Sequence, residues 1–165
     1  MKEKLIEKLR TIEFSGVASV VGLIEKPGPG IHAWRPMVQV EAGRGCTGDH
    51  VKKDFWKGER IPGREITMFA DEVAKALEVD PVKIGDNVIS SGLDLSSLQD
   101  GDELQIGMVV LRRAEKPHRP CELFARRVSQ EAMEAVRETG MRGALFFVVA
   151  GGTICVNDSI VKRPK

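Results

Sequence analysis

Cys121 follows Pro120 directly and closes a basic stretch that holds Arg112, Arg113, Lys116, His118 and Arg119. A thiol becomes a nucleophile or a metal ligand only as the thiolate, and neighbouring cations or a helix N-terminus favour that form. Both conditions are open to Cys121, because the cations precede it and the residues after it turn helical. Free cysteine is also among the most buried residue types, so an inert core thiol fits the same residues. The basic stretch, together with Arg142, has the chemistry to hold an anionic group such as a phosphate. It also reads as a solvated loop.

Two further cysteines invite the same question. Cys46 sits in Gly43-Arg44-Gly45-Cys46-Thr47-Gly48-Asp49-His50, where exposure would make it a second candidate. The glycines there formally match G-x-G-x-x-G, but a dinucleotide fingerprint needs a helix opening at the loop. Val51-Lys52-Lys53-Asp54 offers no amphipathic start, so glycines serving tight turns account for the pattern. Cys155 lies in an apolar strand and reads as a buried structural thiol. None of the cysteine spacings matches a zinc site. Asp49 beside His50 could fix an imidazole tautomer, or could cap its own turn and leave His50 solvated. His32 has no legible partner. No Walker motif and no G-x-S-x-G elbow occurs.

The elements that must position these groups are short. Leu5, Ile6, Leu9 and Ile12 fall at helical spacing. Residues 15–24 are rich in valine and read as a strand, ended by Pro27-Gly28-Pro29-Gly30. Met37–Val40 and Arg64–Met68 read as further strands. A helix with Val73, Ala74 and Leu77 inward follows Asp71 and Glu72, and Asp80-Pro81 stops it. From Ile84 to Leu98 the chain alternates apolar runs with Gly-Asp and Ser-Gly turns; Gln99-Asp100-Gly101-Asp102 is another turn, and Leu104, Ile106, Met108 and Val110 alternate as a half-buried strand. Residues 122–138 read as one helix carrying Phe124, Val128, Ala132 and Val136 on one face. Gly151-Gly152 predicts a hairpin between the apolar run ending at Ala150 and Thr153–Val156. Roughly seven or eight strands and about three helices result, without sustained βαβ alternation. That predicts a mainly β fold, closed or nearly closed into a barrel, with peripheral helices.

Composition sets bounds. The chain has 165 residues and a net charge of +1, enough for one core without staples and without the global basicity of a nucleic-acid or membrane binder. Tyr is absent and aromatics are 5 %, which argues against a base-stacking platform. Three widely spaced cysteines fit a reducing, cytoplasmic setting better than a disulfide framework. The opening Met1-Lys2-Glu3-Lys4 does not read as a secretory signal, and no run reaches membrane-spanning length.

These landmarks, in this order, resemble the MOSC domain, the C-terminal domain of molybdenum-cofactor sulfurases, in its small stand-alone prokaryotic form. Gly48-Asp49-His50 resembles the family's Gly-Asp-x-His segment. Arg64-Glu65-Ile66-Thr67 resembles its Arg-x-Val-Ser/Thr strand. Gly85-Asp86-Asn87-Val88 and Ser91-Gly92-Leu93-Asp94-Leu95 resemble its Glu-Asn-Leu and Gly-Ile-Asp-Leu pair. Gly101-Asp102, Ile106-Gly107, Pro120-Cys121, Arg142-Gly143 and the Gly151–Asp158 region complete the pattern. The resemblance covers one domain over residues 15–161, which leaves the lead-in or short helix over 1–14 and a basic tail over 162–165. It also implies a barrel like the pyruvate-kinase β-barrel.

The resemblance further implies a link to molybdenum and molybdopterin. It assigns Cys121 the sulfur-carrying or molybdenum-ligating role, which makes that residue both the catalytic and the metal candidate. It draws Arg64, Asn87, Asp94, Arg119 and Arg142 around the cofactor. Sulfur transfer, reduction of N-hydroxylated compounds with a partner supplying electrons, and binding without turnover are all compatible with it. The 165 residues hold no aminotransferase-like portion, so pyridoxal phosphate enters only through a partner cysteine desulfurase. Asp49 and His50 are adjacent, unlike the family's spaced pair, which leaves His50 without an implied role.

Overall fold

The computed structural model describes residues 1–165. In chain order the elements are α1 (Lys2–Arg10), β1 (Ser19–Gly28), β2 (Ile31–Arg35), β3 (Met37–Glu41), β4 (Gly45–Cys46), β5 (Phe55–Trp56), β6 (Glu59–Arg60), β7 (Ile66–Ala70), α2 (Asp71–Leu77), α3 (Pro81–Ile84), β8 (Val88–Ser91), β9 (Glu103–Ile106), β10 (Val109–Arg113), α4 (Glu122–Arg127), α5 (Gln130–Thr139), β11 (Ala144–Ala150), β12 (Gly152–Cys155) and β13 (Ile160–Lys162). An eight-stranded sheet runs β13-β9-β10-β11-β7-β8-β1-β2, and a three-stranded sheet runs β12-β3-β4. Only β7 and β8 pair in parallel, and α2 and α3 supply the crossover between them that a parallel pair requires. No helix is long and apolar enough to cross a membrane.

One core unites these elements. Leu23, Ile24, Phe69, Leu104, Leu111 and Phe146 are fully buried from the large sheet, and α1 adds Ile6 and Leu9 to the same cluster. The helical spacing of those two residues is what orients α1 inward.

Several expectations change. The large sheet does not close into a barrel. A single antiparallel bridge, Ser19–Ser159, ties β1 to the residue before β13, supported by Ile160 N–H donating to the Ala18 carbonyl at 2.9 Å. At three residues, with Val161 and Lys162 exposed, β13 is too short to form a closing ladder. The Gly151-Gly152 hairpin is also absent: β11 pairs with β10 and β7, whereas β12 leaves for β3 in the other sheet. Gly151 lies against the Val40 carbonyl where a side chain would overlap it, so the glycines switch sheets rather than turn a hairpin.

The helix expected over 122–138 is two helices. Val128 leaves helical geometry (φ −118°, ψ −84°) and Ser129 Oγ accepts from Ala132 N–H at 3.0 Å, capping a new start. Asp80 similarly caps α3, accepting from Val82 N–H, with Pro81 in its first turn; the Asp-Pro pair opens a helix there. β1 runs on through Pro27-Gly28 because a register shift between Glu25 and Gly28 relieves proline of a ladder bond.

Candidate functional site

A cavity of about 340 Å³ opens between the end of β1, the start of β2, residues 50–53, α3 and α4. Lys26, Lys53, Arg64, Arg119, Arg127 and Arg142 line it, and Asp86 is its one carboxylate. All three histidines of the chain, His32, His50 and His118, also face it. Cys121 lies at its edge, exposed, as the residue that leads into α4. Such a lining selects for negative charge.

Asp86 does not offset the cations freely, because Arg142 grips it. Arg142 Nη1 and Nη2 both donate to the Asp86 carboxylate, the second at 3.3 Å, and both residues are buried. The guanidinium also lies 5.7 Å from the ring centre of Phe69 and 5.3 Å from that of Phe124. Burial pushes the Asp86 carboxyl upward, but Arg142 and then His118 outweigh it and hold it at about 2. Because Phe124 belongs to α4, the same guanidinium seats the helix that carries Cys121. The far end of α4 is fixed by Arg127 Nη1, which donates to the Ile84 carbonyl at 3.0 Å.

The opposite wall is stitched by buried polar groups. Asp49 accepts from the Lys26 backbone N–H at 2.7 Å and from Asn87 Nδ2 at 2.9 Å. His50 N–H donates to the Lys26 carbonyl at 2.8 Å, so Asp49 and His50 bind the end of β1 rather than capping their own turn. Lys53 Nζ donates to the carbonyls of Arg64 and Glu65 at 3.0 and 2.8 Å. Burial and Lys26 lower its pKa, against the pull of Asp49. His32 Nδ1 lies 2.6 Å from the Val82 carbonyl, which leaves Nε2 as the ring's other polar atom. Gly85, at φ +85°, gives the His32 ring its room, since any Cβ there would overlap the imidazole.

Two polar atoms of the lining are buried without a hydrogen-bond partner: Arg64 Nε and His118 Nδ1. Buried polar atoms are nearly always paired, so each of these two is open to a water or to a bound group. Burial, then Arg142, drives the His118 pKa down to about 3; the ring is neutral at physiological pH.

The sequence-derived candidates divide. Cys121, Arg64, Arg119 and Arg142 converge on the cavity. Asn87 is fully buried just behind it, bonded to Asp49, Thr67 and the Ile24 carbonyl. Asp94 lies elsewhere, accepting from Ser96 N–H and Oγ to cap a short 3-10 turn. Of the basic stretch, only His118 and Arg119 reach the cavity; Arg112 lies over Phe147 and Arg113 pairs with Asp100. Cys46 is fully buried, its thiol pushed by burial to about 12, and Cys155 is half-buried. Lys26, Lys53, Asp86 and Arg127 escaped sequence reasoning as site residues. The Asp86 landmark was the one available signal among them.

The profile of the MOSC domain matches residues 61–161. The chain belongs to the MOSC domain family. No curated protein matches the chain. Among solved structures it is similar to YuaD from Bacillus subtilis, with a TM-score of 0.69 at 21% identity over 87% of this chain and 94% of that one. It is also similar to YiiM from Escherichia coli, with a TM-score of 0.64 at 19% identity over 89% of this chain and 70% of that one. YiiM from Geobacillus stearothermophilus gives 0.64 at 18% identity over 89% and 75%. These likenesses establish the shared fold.

Proposed function

We propose that this chain handles the molybdenum cofactor: the cationic cavity holds the cofactor's anionic groups, and Cys121 meets its metal end as a thiolate ligand or as the carrier of sulfur destined for it. The observation that carries this reading is one exposed thiol at the edge of a cavity whose lining gathers Lys26, Lys53, Arg64, Arg119, Arg127 and Arg142 around a single, already paired carboxylate.

The donor set fits the group. A pterin phosphate brings charge and acceptor oxygens, which suit guanidinium and ammonium donors and the unpartnered Arg64 Nε. Cys121 is the one soft donor at the cavity, and no three His, Cys, Asp or Glu side chains converge to make a protein-only metal cage. The remaining metal ligands therefore come with the cofactor. When bound, the cofactor supplies a metal centre that accepts a thiolate or sulfide ligand. The protein's part is to bind and orient. Arg64, Arg119 and Arg127 hold anionic groups. Arg142, occupied by Asp86, holds α4 in place, and neutral His118 offers a hydrogen-bonding nitrogen.

For sulfur carriage, the Cys121 thiolate attacks the outer sulfur of a persulfide on a partner cysteine desulfurase. The partner's S–S bond breaks, its cysteine leaves as a thiolate, and Cys121 becomes the persulfide. Intact-mass analysis after incubation with a desulfurase, pyridoxal phosphate and cysteine tests this. Wild type gains a reducible sulfur adduct and Cys121→Ala gains none. An equal adduct on both proteins, or none on either, removes the sulfur-carrier role.

A further inference from the structure

Behind the segment Pro117–Pro120, on the side away from Cys121, lies a second cavity of about 810 Å³. Arg113, His118, Arg119 and Arg137 contribute its charged and titratable lining, and no carboxylate lines it. His118 and Arg119 also line the first cavity, so one short segment forms the wall between the two.

Arg113 Nε, in this lining alone, is buried without a hydrogen-bond partner; so is Nδ1 of His118, the residue shared by both linings. Arg113 is only partly satisfied. Its Nη1 donates to Asp100 at 2.6 Å and to the Ala114 carbonyl at 2.8 Å, while Nε is left over. An orphaned buried nitrogen is costly unless something binds it. A ligand that is negative and rich in acceptor oxygens satisfies a guanidinium edge and complements Arg119 and Arg137 together.

We propose that this second cavity is a phosphoryl-oxyanion site, formed by Arg113, His118, Arg119 and Arg137. Its ligand is either a free phosphate or the second phosphoryl group of a molecule whose first anionic group occupies the Cys121 cavity. The proposal stands whatever fills the first cavity. His118 gives the two sites a common reporter, because an anion beside its ring offsets the Arg142 charge that disfavours the imidazolium.

The test titrates isotope-labelled full-length protein with inorganic phosphate and, separately, with pyrophosphate, following backbone amide signals by NMR. Thr139 and Gly140 line the second cavity and not the first, and Gly28, Gly30 and Gly85 line the first and not the second. The expected result is saturable shifts in the second group. With inorganic phosphate, Arg137→Gln, at an exposed position, weakens that group about fivefold and leaves the first group unchanged, whereas Arg127→Gln does the reverse. A free-phosphate site responds equally to both anions, and a bridging site binds pyrophosphate more tightly with both groups moving together. Shifts confined to the first group, shifts that drift without saturating, or a second group indifferent to Arg137→Gln would each overturn the proposal.

Discussion

The Arg142 guanidinium donates two hydrogen bonds to the buried Asp86 carboxylate while lying over the rings of Phe69 and Phe124. This links the turn after α3, strand β7 and the helix that Cys121 leads into through one charged group. Asp86→Asn strands a buried guanidinium and should cost about 3–5 kcal/mol, because breaking a buried pair leaves an uncompensated charge. Asp86→Asn combined with Arg142→Met should recover much of that loss, since methionine suits a slot between aromatic rings. Urea unfolding of the three proteins checks both. An Asp86→Asn variant as stable as wild type would contradict the role of the pair.

Acid stability should depend on His118. Its folded-state pKa of about 3 lies below its ordinary 6.5, so between those values the unfolded chain binds the proton and the folded chain does not. Stability is fully present above 6.5 and is lost as pH falls towards 3. Asp86 adds a lower window: its folded value of about 2, against an ordinary 3.8, contributes stability that is lost as pH falls from near 4 through 2. Urea midpoints of wild type and His118→Asn should converge between pH 7 and 4, with wild type falling more steeply. His32, shifted the same way, contributes equally to both curves. Parallel curves would show that His118 titrates normally.

Gly85→Ala tests the fit of His32 to the cavity wall. The substitution forces a Cβ into the imidazole at φ +85° and should cost about 1–3 kcal/mol from backbone strain and overlap. The His32 ring signals should shift with it. Unfolding free energy and the histidine NMR spectrum measure the two effects. Gly101→Ala, also at positive φ but with open space around it, isolates the backbone part.

Thiol accessibility should rank Cys121 first. It is exposed, Cys155 is intermediate and Cys46 is buried with its thiol pushed to about 12. Peptide mapping after brief iodoacetamide treatment of native protein should find the label on Cys121, with Cys46 modified only after unfolding. Early labelling of Cys46 would contradict the packing around β4.

Local pattern carried much of this molecule. The spacing in α1, the run of β11 and the turns flanking Asp86 were readable because each depends on neighbours in sequence. Cys121, Arg119 and Arg142 were readable from the basic stretch and its thiol, and Arg64 through the ordered family landmarks. Lys26, Lys53 and Arg127 were not, because they reach the cavity from β1, a loop and α4, and only tertiary packing makes them neighbours. Asp94, two residues after Gly92, suits a site and a turn cap equally by its type, and in the fold it caps the 3-10 turn through Ser96. The break between α4 and α5 escaped because the apolar spacing continues across Val128, while the cap at Ser129 overrides it.

Molybdenum and pterin content of the protein, purified natively from a molybdate-fed host, decides whether the Cys121 cavity holds the cofactor. Elemental analysis and pterin fluorescence should find both in near-equal amounts in wild type. Both should fall sharply when Arg64 and Arg127 are changed to glutamine, while Cys121→Ala should lose metal more than pterin. Wild-type protein that carries neither, and takes up neither when supplied with the cofactor, would show that the cavity serves another ligand.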